Sequence, residues 1–135
     1  MYRSKKEIQF ASVLYRHFCN FETNAMDVTG TPDVFFRNIE LAIFFNGCFW
    51  HSHYCKLRNL NSKWQSHLEK IKFRDQVVLE ELSSAGIATL TVWECEWEKN
   101  RDRQIEKIFN YITLSENYGI KVRNKSVSSV SSIVA

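Results

Sequence analysis

Three side chains able to bind a soft metal crowd into the stretch C-F-W-H-S-H-Y-C at 48–55: Cys48, His53 and Cys55. Cys95 stands in W-E-C-E, forty residues further on. Ligands that close in sequence can share one ion only if the backbone turns back on itself. A fourth ligand from a distant segment would then tie two parts of the fold together. Three thiolates and an imidazole at tetrahedral geometry point to zinc. The spacing C-x4-H-x-C…C departs from finger motifs and describes an irregular structural knot. Taken singly, Cys48 and Cys55 could be buried thiols, and His51 could replace His53 as the ligand. With His53 in the zinc set, His51 is left for other chemistry.

That chemistry has a second component in Asp33. It opens an apolar segment, and Phe45-Asn46 close the next one, so in an antiparallel pair turning near Arg37-Asn38 the two ends meet. One carboxylate, a nearby backbone carbonyl and a neighbouring histidine can hold Mg2+ with several waters and activate one of them. Such an arrangement suits phosphodiester hydrolysis. In isolation, an aspartate after Thr31-Pro32 is a turn or cap residue. Its company, not its type, makes it a candidate.

The elements that must position these groups follow from periodicity. Ile8, Ala11, Val13, Leu14 and Phe18 lie near helical spacing in 5–18, after a capping-box pair Ser4 and Glu7. Residues 20–28 offer a weak first strand. Thr29-Gly30-Thr31-Pro32 is a turn. Asp33–Phe36 and Glu40–Phe45 read as strands about a tight turn. The longest helical pattern covers 62–84 and stops at Ala85-Gly86. Ile87–Trp93 is an apolar strand ending at Glu94-Cys95, and 99–114 form a last amphipathic helix. The order α-β-β-β-α-β-α predicts an α/β fold, a mixed sheet flanked by helices. The chain divides into a domain over 1–120 and a Ser/Val-rich tail over 121–135.

A chain of 135 residues with 44% hydrophobic and 24% charged residues supports one folded core. No apolar run reaches the length of a membrane span. The basic start, Met1 to Lys6, is not followed by a signal-peptide core. Four cysteines without a secretion signal read as ligands and core residues, Cys19 being assigned to the core. A net charge of +3 permits nucleic-acid binding without requiring it.

G-T-P-D at 30–33, F-F-N-G-C-F-W-H-S-H-Y-C at 44–55, R-D at 74–75 and V-W-E-C at 92–95 together resemble the very short patch repair, or Vsr, endonucleases. The resemblance covers roughly 4–97 and implies a restriction-endonuclease-like PD-(D/E)XK core with a structural zinc site. It implies a Mg2+-dependent DNA endonuclease that nicks duplex DNA at or near a T:G mismatch, acting as a monomer in the cytoplasm of a bacterial or phage-infected cell, without a membrane partner. Asp33 and the Phe45 carbonyl would bind Mg2+. His51 would be general base or proton shuttle, and Asp75 would orient it. Glu7 would contact metal-bound water. Cys48, His53, Cys55 and Cys95 would hold zinc. Phe49, Trp50 and Trp64 would form the aromatic wedge that enters the DNA stack.

The superfamily's usual acid-x-lysine on the second strand is missing, since neither Glu40-Leu41-Ala42 nor Phe45-Asn46-Gly47 supplies it. A nuclease without that lysine needs another proton handler, and His51 is within reach. Taken singly, Glu7 could be only a capping acid, Asp75 an ion-pair partner of Arg74, and the aromatics core residues. Lys70, Lys72, Arg74 and the 99–103 cluster read as solvated faces able to touch phosphates. Only Lys56 to Lys63 separate Cys55 from Trp64, a shorter loop than the resemblance leads one to expect. Ile71 and His67 stand where it expects a polar pair facing the mismatch, and Asn46 stands for a histidine. These departures favour a weaker T:G preference, or a homing, restriction or mobile-element target. A zinc-stabilised DNA-binding module without cleavage is the alternative of another class.

Overall fold

The computed structural model describes residues 4–48 and 62–124, with side chains through 115. Its elements are α1 (Lys5–Leu14), β1 (Glu22–Thr23), β2 (Val34–Phe36), β3 (Leu41–Asn46), α2 (Ser62–Ser84), β4 (Ala88–Trp93), α3 (Glu94–Lys99) and α4 (Arg101–Asn124). The four strands form one sheet in the order β1-β2-β3-β4. β1, β2 and β3 pair antiparallel, whereas β3 and β4 are parallel. The sheet is therefore mixed, as the order of elements in the sequence predicts.

β3 reads L-A-I-F-F-N because both of its faces are covered. Side chains alternate across a strand. Val34, Phe36, Leu41, Ile43 and Phe45 pack with Phe10 and Leu14 of α1, Trp97 of α3 and Ile108 of α4. Phe35 and Ala42 pack on the other side with Leu82 of α2, joined by Phe44 and Val78. A helix layer thus lies on each face. Along α2 the inward positions are Leu68, Ile71, Asp75, Val78 and Leu82, spaced three and four apart as a helix face requires. Asp75 is the single charged residue on that stripe.

Several boundaries differ from the sequence reading. The helix of 5–18 ends at Leu14 with Tyr15 as its C-cap. The strand of 20–28 contracts to Glu22–Thr23, because Asn24 takes a left-handed φ of 54° and leaves the pleat. The turn after β2 is a short 3-10 segment, Arg37–Ile39, closed by Glu40 at a left-handed φ of 51°. Glu94–Lys99, read as the end of a strand and a connection, is helical. α4 starts at Arg101, where Asn100 Oδ1 accepts the Arg103 N–H at 3.2 Å, and runs to Asn124; residues 125–135 lie outside those described. Cys19 is exposed, contrary to its assignment to the core, because the chain has left α1 and turns at Asn20, whose φ is 63°.

Candidate active site and thiol junction

The β2–β3 register pairs Val34 with Ile43, which carries Asp33 to the level of Phe44 and Phe45. There Asp33 Oδ2 accepts the Phe45 N–H at 2.8 Å. One hydrogen bond so fixes the carboxylate relative to the end of β3. The N–H and C=O of a strand residue face the same edge, so the Phe45 carbonyl is turned toward Asp33 as well. The meeting of strand ends inferred from the sequence is thus present.

Two further carboxylates arrive from the helix layers. Glu7 comes from the first turn of α1 and Asp75 from the inward stripe of α2; both line one cavity of about 470 Å³ with Asp33, Phe45, Asn46 and Arg74. All three acids are half-buried. Glu7 has a second duty. Its Oε2 accepts the Ser4 N–H at 2.8 Å while Ser4 Oγ accepts the Glu7 N–H at 3.1 Å, a complete capping box. Glu7 therefore caps α1 and lines the cavity at once. Asp75 stands half-buried on the inward stripe of α2 and faces the same cavity.

Among the described lining residues, three carboxylates stand against one arginine. Partly desolvated like charges are unfavourable unless a cation or proton offsets them. Hard oxygen donors of this kind fit Mg2+, which takes one or two carboxylates and retains waters.

The second assembly lies three residues beyond Phe45. β3 and β4 are parallel and pair Asn46 with Trp93 at their ends. Continuing that register by two residues sets Cys48 beside Cys95, and the Cys95 N–H donates to Cys48 Sγ at 3.4 Å. Cys48 is fully buried and Cys95 half-buried. The Cys48 N–H donates to Glu94 Oε1 at 3.4 Å, and the other oxygen of Glu94 meets the Lys6 ammonium of α1. Hydrogen bonding to Glu94, then to Glu98, raises the Lys6 pKa above its ordinary value. Glu94 thus joins the thiol junction to the helix that carries Glu7, a link with no motif to signal it.

His51, His53, Cys55, Phe49 and Trp50 lie outside the described residues. Among the described residues, no three His, Cys, Asp or Glu side chains come close enough to hold one ion. The cleft carboxylates share a cavity and two of the thiols share a junction, and the remaining expected ligands belong to 49–61. Trp64 is described. It stands 40% exposed near the start of α2, its ring edge-on to His67 at 5.9 Å between centroids. Lys63, Trp64, Ser66, His67 and Lys70 outline a shallow depression. Lys63, His67, Lys70 and Arg74 follow at helical spacing, so one basic stripe runs from Trp64 into the acidic cleft. Asn24 and Thr31 also line that cleft; sequence reasoning gave neither a role in the site, although Thr31 belongs to G-T-P-D itself.

Residues 2–57 match the model of the family described as DNA mismatch endonuclease Vsr. The chain is 32% identical over 97 residues to the type II nicking enzyme V.XorIIP of Xanthomonas oryzae pv. oryzae, covering 69% of this chain and 71% of that protein. It is 30% identical over 105 residues to the type II nicking enzyme V.HpaIIP of Haemophilus parainfluenzae, covering 74% of each. It is 31% identical over 93 residues to the DNA mismatch endonuclease Vsr of Escherichia coli, covering 66% of this chain and 60% of that enzyme.

Proposed function

The chain belongs to the Vsr family of DNA endonucleases, and on that premise we propose that it hydrolyses a phosphodiester bond of duplex DNA with Mg2+, nicking at or near a T:G mismatch. The observation that carries this reading is the convergence of Asp33, Asp75 and Glu7 from β2, α2 and α1 on one cavity. The mixed sheet and its helix layers serve as the PD-(D/E)XK core. The relatives named as nicking enzymes support cleavage of one strand.

Asp33 and the Phe45 carbonyl would hold Mg2+, which supplies charge neutralisation and a more acidic water. His51 takes the proton of the attacking water, in place of the missing strand lysine. Asp75 holds the His51 imidazole in one tautomer and orientation, as a carboxylate does for histidine elsewhere. Glu7 accepts a hydrogen bond from water in the cleft while keeping α1 capped. Phe49, Trp50 and Trp64 unstack the base step at the target. The basic stripe of α2 follows the phosphates. Cys48, His53, Cys55 and Cys95 hold a structural zinc, and a monomer acting in the cytoplasm suffices for this chemistry.

A different target is the second reading. Ile71 is half-buried on the sheet-facing stripe and His67 lies on the exposed one, so the expected polar pair does not face DNA together. Cleavage of a panel of matched and mismatched duplexes with Mg2+ separates the two. A hundredfold or greater preference for T:G over T:A in one context, on the scale of well-placed base readout (about 1–3 kcal/mol per contact), identifies the mismatch enzyme. Asp33→Ala should abolish cleavage of every duplex while the fold and zinc content persist. Wild-type cleavage by that variant would place the active site elsewhere, and a wild-type chain that binds but cleaves no duplex would be a module that only binds.

A further inference from the structure

Thr31 occupies a backbone conformation that every local preference opposes. Its φ is 47°, in the left-handed region. A β-branched residue there is a genuine outlier. The following proline disfavours helical conformations at this position as well. Glycine would serve such a turn without strain, and the chain does use it one residue earlier, at Gly30 with φ 81°. The surroundings enforce the strain. The Thr31 N–H donates to the Val28 carbonyl at 2.9 Å, and Pro32 is fully buried. Gly30 packs so closely under α2 that a Cβ would collide with Val78. The Asn24 N–H donates to the Asp33 carbonyl at 3.2 Å, closing the loop. The product is a half-buried threonine on the cleft wall, two residues from Asp33.

We propose that Thr31 contacts the substrate, its hydroxyl donating a hydrogen bond to a backbone phosphate of the DNA strand that enters the cleft. The inference rests on the reading of this cleft as a DNA-cleaving site. Strain held at a site by its surroundings is a mark of function, and the charges of this cleft specify which function. Glu7, Asp33 and Asp75 repel an approaching phosphodiester, and among the described lining residues Arg74 is the single cation. A hydroxyl donates to a phosphate oxygen without adding charge that would pair with those carboxylates, and it rotates to suit the acceptor. Threonine hydroxyls make such contacts to phosphates irrespective of base. Asn24, also left-handed at φ 54°, lines the same wall.

The test uses the full chain and a short duplex that the wild type cleaves. Binding is measured with Ca2+ in place of Mg2+, on the intact duplex and on duplexes with single methylphosphonates around the cleaved bond. Thr31→Val keeps the shape and loses the hydroxyl; it should weaken binding of intact DNA about ten- to a hundredfold, the scale of one hydrogen bond to a charged group. At one methylphosphonate position it should cause no further loss. Thr31→Ser should bind within about twofold of wild type. Thr31→Gly should melt higher than wild type yet bind as weakly as Thr31→Val, which separates contact from folding. Wild-type binding by Thr31→Val, or the same loss at every methylphosphonate position, overturns the inference alone. A wild-type chain that neither binds nor cleaves DNA brings down the nuclease reading with it.

Discussion

The acidic cleft and the thiol junction lie three residues apart along the chain, at and just past the end of β3, yet they are assembled by different means. The cleft gathers Glu7, Asp33 and Asp75 from three elements around one cavity. The junction brings Cys48 and Cys95 together by a single parallel register. The cleft collects charged groups along a half-buried wall, whereas the junction closes a contact between segments far apart in sequence. Removing a group from the first should therefore cost activity and little stability. Removing one from the second should cost the fold.

The largest effect should come from Cys95→Ala. If the junction holds zinc, binding energy there is folding energy. The variant should lose its zinc, about one per chain in the wild type, and melt roughly ten degrees or more lower. Unchanged melting would erase the contrast between the two regions. Asp75→Asn is the opposite case. Cleavage should fall about ten- to a hundredfold, as for a carboxylate that orients a working group, with the melting temperature close to wild type. A large loss of stability instead would make Asp75 structural.

Glu7 sharpens the comparison because it lines the cleft and caps α1 together. Glu7→Gln keeps an oxygen to accept the Ser4 N–H, so stability should stay within about 0.5 kcal/mol while cleavage falls about tenfold. Ser4→Ala should do the reverse, costing about 1 kcal/mol of stability with the carboxylate still present. Equal losses in both variants would show that the two duties cannot be separated.

The smallest effect belongs to neither region. Arg37 pairs with Glu22 at 2.5 Å and Asp27 at 3.1 Å on the exposed sheet edge. Hydrogen bonds from Arg37 hold both carboxyls below their ordinary values. That stabilisation is present above the unfolded-state values and is lost as pH falls through the lower folded-state ones. Arg37→Ala should thus destabilise slightly at neutral pH, and the difference from wild type should close in acid. Exposed pairs contribute little, so a constant difference across the titration would point to lost packing of the guanidinium on Phe35.

Local signals made part of this visible in the sequence. The Ser4–Glu7 box and the glycine after Ser84 mark helix ends through chemistry confined to a few residues, and both ends are where they were expected. The meeting of Asp33 with Phe45 followed from the period and turn of one hairpin. α3 escaped because Trp93 caps it with no side-chain hydrogen bond and it spans six residues, too few to show a face. The pairing of Cys48 with Cys95 could be suspected from residue type alone; its cause, a parallel register across a helical crossover, has no local trace. Thr31 was hidden for a related reason. Its left-handed φ runs against every preference of its type, and only the packing around Gly30 and Pro32 imposes it.

The parallel pairing of β3 with β4 also carries a temporal consequence. β2 and β3 are joined by a tight turn and can zip at once, whereas β4 must wait until the chain through α2 has folded back over the sheet. Contacts between distant segments form late because the loop must close first. Asp33 would then take its place beside Phe45 while Cys48 is still without Cys95, leaving the thiol accessible in the nascent chain. Pulse-labelled hydrogen exchange during refolding should find the amides of β3 facing β2 protected before those of β4. Simultaneous protection would mean that the sheet forms in one step, and that no early thiol-exposed stage exists for oxidation or premature metal capture to exploit.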